Sequence, residues 1–324
     1  MQRILAADIG GTNCRFASFS LDQGRLRQER VVWIRSAGLL DTDMVLVALE
    51  RELETPLRTA DMLVLGLAGP VSDGLRGGLT NGALRVDLTG LEQRYGIPRA
   101  LVINDFTAEA YGCLTEIGEQ ARCVVRPTEQ AEVPPTASRG VLGAGTGLGT
   151  ASLVHDGRGG WLPVAAEGGH ASFPFVGDEE HDFHKFVCRE LGYPFARGDD
   201  ILTGRGLGLL HRYLSGETLD AREVGERALS RDTPTLRWYS RFYARACRNW
   251  ILTTLCRGGL WIAGGIASRN PLSVTSDYFL RELYTTPQFV SLIRSVPIYL
   301  IENKNSGLWG AAQAGLEVLR REAR

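Results

Sequence analysis

Twice in this chain a short apolar run ends in a glycine-rich turn, and a second strand-like run follows the turn directly. The first case joins residues 4–9 to the alternating run 14–21 through a turn at 10–13, and the second joins 141–142 to 150–154 through residues 143–149. Apolar runs this short, bounded by glycine, are typical of buried strands. The recurrence therefore predicts two β-hairpins, and two structurally related halves would explain it.

The remaining pattern alternates strands with helices, which indicates an α/β fold. Further strands are predicted at 31–34, 62–67, 100–103, 260–263 and 298–301. Helices are predicted at 44–53, 88–95, 107–113, across much of 182–255, and from 306 to near the C-terminus. Thr107 and Ser306 are placed to cap their helices.

The length and charge of the chain limit the class of protein to which it can belong. A chain of 324 residues suits two domains. The formal net charge of −1 provides no positive field for a nucleic acid. The sequence contains no run of about 18 apolar residues, which is the length needed to span a membrane. Its N-terminus does not resemble a targeting segment, and the six cysteines are scattered without a CxxC pair. We therefore expect a cytoplasmic protein with reduced thiols, and no nucleic-acid or membrane partner.

The lysines limit how the chain could hold a nucleotide. Only Lys185 and Lys304 occur, and no Gly-Lys dipeptide is present. This excludes a P-loop, and a strand lysine of the protein-kinase type is also missing. Any bound ATP must be held in another way.

The first glycine turn, in the segment 8–13 (DIGGTN), could bind an anion. Gly10 and Gly11 allow close backbone approach and an amide nest, Thr12 and Asn13 add side-chain donors, and Asp8 is a carboxylate suited to hydrated Mg²⁺. A tight hairpin with a capping Asp explains the same residues equally well. Both interpretations stay open for this segment alone.

Two later segments repeat the theme. The segment 143–149 (GAGTGLG) has more glycine than a turn requires, and a strand rather than a helix follows, so it is not a dinucleotide fingerprint. A glycine-rich hairpin without a ligand is the poorer explanation. The segment 260–267 runs from a strand into Gly264 and Gly265, where a base or ribose could lie on backbone, although by itself a common strand–helix turn is favoured.

Two polar segments are candidates for hydroxyl recognition. Asn104 and Asp105 end an apolar strand, which is where open α/β sheets bind ligands, although an Asx turn capping the next helix is the alternative. Glu167 and His170 flank two glycines and could converge on hydroxyls, although a loop with solvated ends is the alternative.

Taken together, these segments resemble the bacterial glucokinase family of the hexokinase–actin ATPase superfamily. DIGGTN and GAGTGLG resemble its two phosphate loops, and WIAGGIASRN resembles its adenosine segment. LGLAGPV, INDFTAEAYG, AEGGH and ILTGRGLGLL resemble the intervening segments, in the same order and over essentially the whole chain. The resemblance implies a two-domain actin-like ATPase (ribonuclease H-like) fold, each domain a mixed sheet flanked by helices. It also implies ATP and Mg²⁺ as cofactors, glucose as substrate, and a possible homodimer.

The resemblance also implies roles for individual residues. Asp105 resembles the catalytic base that accepts the proton of the sugar 6-hydroxyl, and it would contact the sugar itself. The other residues implied to bind sugar are Asn104, Glu167, His170 and Asp199. Those implied to hold the nucleotide are Asp8, Gly10, Gly11, Thr12, Asn13, Gly145, Thr146, Gly147, Gly264 and Gly265, with Asp8 facing Mg²⁺ through water.

Two positions depart from the family pattern. Asp199 stands where the family usually has Glu, and no Trp follows Thr80 and Asn81. The domains are expected at 1–115 with 306–324, and at 116–305, with the active site between them.

Three rival functions stay open at this point. A kinase for mannose or fructose is favoured by the change at Asp199. A sugar-responsive repressor would carry an N-terminal DNA-binding module, whereas here a phosphate-loop strand begins at Ile4. A non-catalytic sugar sensor conflicts with the presence of Asp105 and both glycine loops. The phosphoryl donor, ATP or else ADP or polyphosphate, is also left open.

Overall fold

A computed structural model describes residues 2–129 and 132–322. It confirms the predicted α/β class. The strands are β1 (Arg3–Ile9), β2 (Asn13–Asp22), β3 (Arg25–Arg35), β4 (Met62–Leu67), β5 (Val71–Ser72), β6 (Arg76–Gly78), β7 (Arg85–Asp87), β8 (Ala100–Asn104), β9 (Arg122–Val125), β10 (Arg139–Ala144), β11 (Leu148–His155), β12 (Trp161–Ala166), β13 (Leu260–Ala263) and β14 (Ile298–Leu300).

Helices occupy much of the rest of the chain. The α-helices are α1 (Thr42–Leu53), α2 (Leu91–Tyr95), α3 (Asp105–Gly112), α4 (Glu116–Glu119), α5 (Gly177–Leu191), α6 (Gly198–Leu202), α7 (Gly204–Ser215), α8 (Ala221–Val224), α9 (Pro234–Thr254), α10 (Gly265–Arg269), α11 (Leu272–Thr275), α12 (Asp277–Leu283), α13 (Val290–Ser295) and α14 (Ser306–Glu322). Short 3₁₀ turns lie at Leu57–Thr59 and Gly168–His170, and a π-helical turn lies at Gly225–Leu229.

The chain divides into two compact units. Unit 1 comprises Met1–Gln120, His155–Ala165 and Asn303–Arg324, and unit 2 comprises Ala121–Val154 and Ala166–Glu302. The predicted division into functional domains, 1–115 with 306–324 and 116–305, stays a prediction.

Unit 1 is built on a five-stranded sheet in the order β3-β2-β1-β4-β8. Strands β1, β4 and β8 are parallel, whereas β2 pairs with β1 antiparallel. Strand β4 is buried along its whole length, as expected of a strand covered on both faces. Helix α14 packs on β1, β4 and α3, and nearly all of its residues from Ser306 to Leu319 are buried. A small antiparallel sheet, β5-β6-β7, belongs to the same unit.

Unit 2 is built on the sheet β12-β11-β10-β13-β14-β9. Strand β10 pairs antiparallel with β11 and parallel with β13, which repeats the arrangement of β2, β1 and β4. Helix α9 packs on β10 and supplies Tyr239, Phe242 and Tyr243 to a large apolar core, where all three are fully buried.

The structure confirms both predicted hairpins and corrects several boundaries. The strand expected at 31–34 lies in the C-terminal half of the longer β3, and the helix expected at 88–95 begins only at Leu91 because Gly90 has a left-handed backbone conformation, φ 70°. Thr107 is not the N-cap of α3, because Asn104 caps it. Ser306 is the first residue of α14, and its hydroxyl donates to Glu109.

Within the described part of the chain, no helix combines the length and the apolar character needed to cross a membrane.

Candidate active site

The loops that follow β1, β4 and β8 leave the sheet of unit 1 at the same edge. The parallel register aligns Ile9 with Leu67, and Leu67 with Asn104. Because the carboxyl ends of parallel strands meet at one edge, the glycine turn after β1 and the Asn104-Asp105 pair after β8 emerge together. The sheet thus brings the first predicted phosphate loop and the predicted base to one edge of unit 1.

The first glycine turn is held by its own backbone and by Ser36. The amide of Gly10 donates to the carbonyl of Asn13 at 3.0 Å, and the Ser36 hydroxyl donates to the Gly10 carbonyl at 2.6 Å. A side chain at Gly11 would lie 3.2 Å from the carbonyl oxygen of Asn81. Thr12 and Asn13 are exposed. Hydrogen bonds therefore fix the backbone of the turn while its polar side chains remain exposed, and its role in binding phosphate stays a prediction.

Asp8 is paired with Arg15, a residue that the sequence analysis did not single out. The hairpin register places Asp8 opposite Arg15, and Arg15 Nη1 donates to Asp8 Oδ2 at 2.5 Å. The guanidinium also stacks on the Trp33 ring at 4.2 Å. Burial raises the pKa of Asp8 and Arg15 opposes that rise. Counting residues across a tight hairpin would have found this partner.

Asn104 and Asp105 stand at the start of α3. Asn104 Oδ1 accepts hydrogen bonds from the amides of Phe106, at 2.9 Å, and Thr107, at 3.3 Å, while its Nδ2 donates to the Gly69 carbonyl at 3.4 Å. Asp105 Oδ1 accepts from the Phe106 amide at 3.0 Å. The alternative interpretation of this pair, a helix cap, is thus correct for Asn104, whose side chain is the N-cap of α3. The predicted sugar contacts of both residues stay predictions.

Glu109 lies one helical turn beyond Asp105 in the segment INDFTAEAYG, but the sequence analysis assigned no role to it. Its Oε1 accepts from the Ser306 hydroxyl at 2.9 Å, whereas Oε2 is enclosed with no hydrogen-bond partner among the described residues. Burial raises the pKa of Glu109 to about 8, the negative charges of Asp8 and Asp105 add to the rise, and Ser306 and Arg15 oppose it.

The second glycine turn lies at the corresponding edge of the unit 2 sheet. The amide of Gly145 donates to the Gly147 carbonyl at 2.9 Å, and the amide of Gly204 donates to the Gly145 carbonyl at 3.2 Å. Parallel pairing of β10 with β13 brings Gly264 to the same edge. Gly264 has φ 89°, and a side chain there would lie 2.5 Å from the Ala144 carbonyl oxygen, so only glycine fits.

Gly145, Thr146 and Gly147 thus share an edge with Gly264 and Gly265. No side chain within 4 Å would obstruct a substituent at Gly145, so its α-carbon faces open space. This arrangement suits a ligand lying on backbone, and the predicted nucleotide contacts of these residues stay predictions.

Three predicted sugar ligands converge in unit 2. Glu167, Gly168, Gly169 and His170 form a tight turn, in which His170 Nε2 lies 3.7 Å from Glu167 Oε2. His170 Nδ1 lies 3.9 Å from Asp199 Oδ2. A side chain at Gly169 would come within 2.1 Å of the Leu148 carbonyl oxygen, so only glycine allows the backbone of this turn to lie so close to Leu148. The group offers two carboxylates and an imidazole, of which Glu167 and His170 are exposed.

Asp199 is attached to the second glycine turn. Its Oδ1 accepts from the Leu148 amide at 2.7 Å, immediately after the turn. One carboxylate oxygen is therefore already used within the protein, and the other faces His170. The distant Leu148 contact, 51 residues away, could not be read from the sequence.

The buried carboxylate of Asp200 is paired with two arginines, one of which approaches this group. Asp200 is fully buried and accepts from Arg197 Nε at 2.9 Å, from Arg197 Nη2 at 3.0 Å and from Arg205 Nη2 at 2.6 Å. Burial by itself raises the pKa of Asp200, but the hydrogen bonds and charge of Arg197, with those of Arg205, outweigh burial and hold this pKa below its usual range. Arg197 Nη1 lies 3.3 Å from His170 Nδ1.

The residues around Asp8 fit a magnesium ion that is held mainly by phosphate and water. The described residues contain no cluster of three potential metal ligands, so a cage made by the protein alone is absent from them. Mg²⁺ retains several waters and often takes only one or two carboxylates beside nucleotide phosphates. Asp8 supplies one carboxylate next to the glycine turn, with Oδ1 as the oxygen not paired to Arg15.

Comparisons with known proteins were consistent with this geometry. A family model described as Glucokinase matches residues 5–317. A glucokinase from Caulobacter vibrioides is 32% identical over 323 residues, covering 96% of this chain and 94% of that protein. The crystal structure of a glucokinase from an Antarctic psychrotroph matches with a TM-score of 0.82 at 24% identity, covering 97% of this chain and 99% of the other. A ROK family glucokinase from Streptomyces griseus, solved with glucose and AMPPNP, matches with a TM-score of 0.61 at 18% identity, covering 97% and 99%. These structures share the two-domain actin-like ATPase fold with this chain.

Proposed function

Because this chain belongs to the glucokinase family, we propose that it transfers the γ-phosphoryl group of ATP to the 6-hydroxyl of glucose, forming ADP and glucose 6-phosphate. The observation that carries the proposal is the convergence of Glu167, His170 and Asp199 beside the second glycine turn. Two carboxylates and an imidazole suit directional hydrogen bonds to a polyol, and glycine-turn amides suit phosphate.

In this proposal Asp105 acts as the general base. Its carboxylate accepts the proton of the 6-hydroxyl while the hydroxyl oxygen attacks the γ-phosphorus, and the bond to the ADP oxygen breaks. Asn104, at the same strand end, would contact a neighbouring hydroxyl. Phosphoryl transfer depends mainly on positioning and on neutralising charge, which are the tasks assigned to the two glycine turns.

The proposed nucleotide contacts come from the glycine-rich segments. The first turn (Gly10, Gly11, Thr12 and Asn13) and the second turn (Gly145, Thr146 and Gly147) would hold phosphates, and Gly264 and Gly265 would meet the adenosine. A bound Mg²⁺, held by phosphate oxygens and through water by Asp8, would neutralise charge on the phosphates.

The working location and assembly are part of the proposal. All six cysteines are free thiols, which is the usual state in a reducing compartment, and we place the protein in the cytoplasm. We also propose a homodimer, for which light scattering should give twice the chain mass of 35.4 kDa.

A coupled assay of the purified protein tests the function. Glucose, mannose and fructose are each supplied with ATP, ADP or polyphosphate, and Asp105→Asn protein serves as the blank. We expect the highest kcat/KM with glucose and ATP. Preference for mannose or fructose would reassign the substrate, and glucose binding without turnover on any donor would identify a sugar sensor instead.

A further inference from the structure

The guanidinium of Arg197 is fixed in one orientation by the groups around it. Its Nε and Nη2 donate to the two oxygens of Asp200 at 2.9 and 3.0 Å, a two-pronged pairing that holds the plane of the group. Asp200 is wholly buried and also accepts from the Arg197 amide at 3.1 Å. The Tyr193 ring covers the guanidinium at 4.9 Å. Its remaining nitrogen, Nη1, is thereby directed at His170.

The contact between Arg197 and His170 determines which imidazole nitrogen carries the proton. Arg197 Nη1 lies 3.3 Å from His170 Nδ1. Arginine stays protonated in proteins and can only donate hydrogen bonds, so Nδ1 must accept. In the neutral imidazole the single proton then lies on Nε2.

We propose that Arg197 is a positioning residue of the sugar site, which fixes His170 as the tautomer whose Nε2–H donates to a substrate hydroxyl. This inference rests on the proposed function, since it assigns His170 its part in sugar binding. It gives the cluster one donor, His170 Nε2–H, on the side of the ring that faces Glu167, in addition to the acceptors of Glu167 and Asp199.

One donor among acceptors suits a sugar better than acceptors alone. Each hydroxyl both donates and accepts, so a hydroxyl that donates to Glu167 can accept from His170 Nε2–H at the same time. The opposite tautomer would direct Nδ1–H toward Asp199 Oδ2, now 3.9 Å away, and leave Nε2 as a third acceptor. The site would then lack a donor from this side chain.

The test reads the tautomer directly by ¹⁵N NMR of the sugar-free protein, with the His170 signals assigned by their loss in His170→Gln. We expect Nδ1 at an unprotonated and Nε2 at a protonated chemical shift in the wild-type protein. In Arg197→Met the population should move toward the Nδ1–H form.

Arg205→Gln is the matched control. Arg205 also donates to Asp200, at 2.6 Å, but in the described part of the chain it makes no hydrogen bond to His170, so the His170 tautomer should not change. A His170 that carries its proton on Nδ1 in the wild-type protein would overturn the proposal, even if every Arg197 variant failed to fold.

Glucose affinity gives a second readout. Arg197→Met should weaken nucleotide-free glucose binding about tenfold, as expected for loss of one well-placed hydrogen bond. In a His170→Gln background the same substitution should have almost no further effect. An equal loss in both backgrounds would show that Arg197 acts through the fold and not through His170. If the protein bound no glucose, the proposed function would be wrong. The NMR experiment would still show whether Arg197 sets the tautomer of His170.

Discussion

Each unit places two carboxylates on one helix. We call Asp105 and Asp199 the outer carboxylates, and Glu109 and Asp200 the inner ones. The two inner carboxylates have opposite electrostatic environments. In unit 1, Asp105 begins α3 and Glu109 follows one turn later, with only the Ser306 hydroxyl donating to it among the described residues. In unit 2, Asp199 and Asp200 lie in the first turn of α6, and Asp200 is held by two arginines. Burial raises the pKa of Glu109 to about 8, whereas pairing lowers that of Asp200.

This difference indicates distinct roles for two buried acids. Burial without an ion-pair partner favours the neutral form of a carboxyl group, so Glu109 can lie near Asp8 and Asp105 without adding a negative charge of its own. A paired carboxylate stays ionised and can hold a guanidinium in place, as Asp200 holds Arg197. Proximity to the predicted site is common to both, and the surrounding donors decide the charge.

The largest effect is expected where the outer carboxylate of unit 1 is changed. Asp105→Asn keeps the shape of the side chain but removes the proton acceptor, and loss of a general base costs about 10²–10⁴-fold in rate. Glucose affinity should be largely retained. The measurement is kcat from the coupled assay together with calorimetric binding, and more than a tenth of wild-type kcat would show that Asp105 is not the base.

Removing the inner carboxylate of unit 2 should cost stability. Asp200→Ala leaves Arg197 and Arg205 without their shared partner, and because both guanidinium groups are partly exposed to water, we expect the free energy of unfolding to fall by about 1–3 kcal/mol, the usual cost of losing charge-assisted hydrogen bonds. Asp232→Ala is the matched control, because its pair with Arg237 is exposed and such pairs contribute about 0–1 kcal/mol. Urea unfolding measures both. Equal losses in the two variants would mean that Asp200 contributes no more than a surface charge.

Glu109→Gln tests the opposite sign in unit 1. The folded-state pKa of Glu109, about 8, lies above the ordinary value of 4.5. Between these values the unfolded chain binds fewer protons than the folded one, so the wild-type free energy of unfolding should fall as pH rises, by up to about 1.4 kcal/mol per pH unit from this group. Glu109→Gln should lack this contribution and gain stability relative to wild type from pH 5 to 8.

The same unfolding series separates Glu109 from other acids. Asp200→Ala should not show a relative gain with rising pH, because the stabilising pair that it lacks is fully present above the ordinary carboxyl pKa and is lost only in acid. If the wild-type and Glu109→Gln curves stayed parallel across this range, Glu109 would be ionised in the folded protein.

The sequence predicted the parts of this comparison that are local. Strand β4 was placed correctly at 62–67, and both glycine hairpins were recognised from apolar runs that stop at glycine. The N-cap of α3 is Asn104 and not Thr107, so the Asx-turn alternative given for the Asn104-Asp105 pair is the correct one, as expected of an Asn just before a helix.

The partners that set each charge were not predictable in the same way. Ser306 is 197 residues from Glu109, and Leu148 is 51 residues from Asp199. Such contacts follow from tertiary packing, for which a single sequence carries no periodic signal. Arg197 is nearer to its partner, three residues before Asp200, but its link to His170 again depends on the fold.

The smallest effect is expected at Asp199, the outer carboxylate of unit 2. Asp is one methylene, about 1.5 Å, shorter than the Glu usual in the family. Its Oδ1 is already bound to the Leu148 amide at 2.7 Å, so a sugar hydroxyl would contact Oδ2 or reach the group through water. Asp199→Ala should therefore weaken glucose binding by only about 1–2 kcal/mol, less than a fully engaged charged hydrogen bond could contribute.

Two further variants make this expectation sharper. Asp199→Asn keeps an acceptor for the Leu148 amide and removes the charge, so it isolates the contact with sugar from the attachment of the turn. Asp199→Glu restores the length usual in the family and should give a working enzyme. Calorimetry with glucose and mannose, and kcat/KM for both sugars, distinguish a direct contact between Asp199 and the sugar from a contact through water. A loss of several kcal/mol in Asp199→Ala, together with an inactive Asp199→Glu, would mean that Asp199 contacts the sugar directly and that its shorter side chain is required.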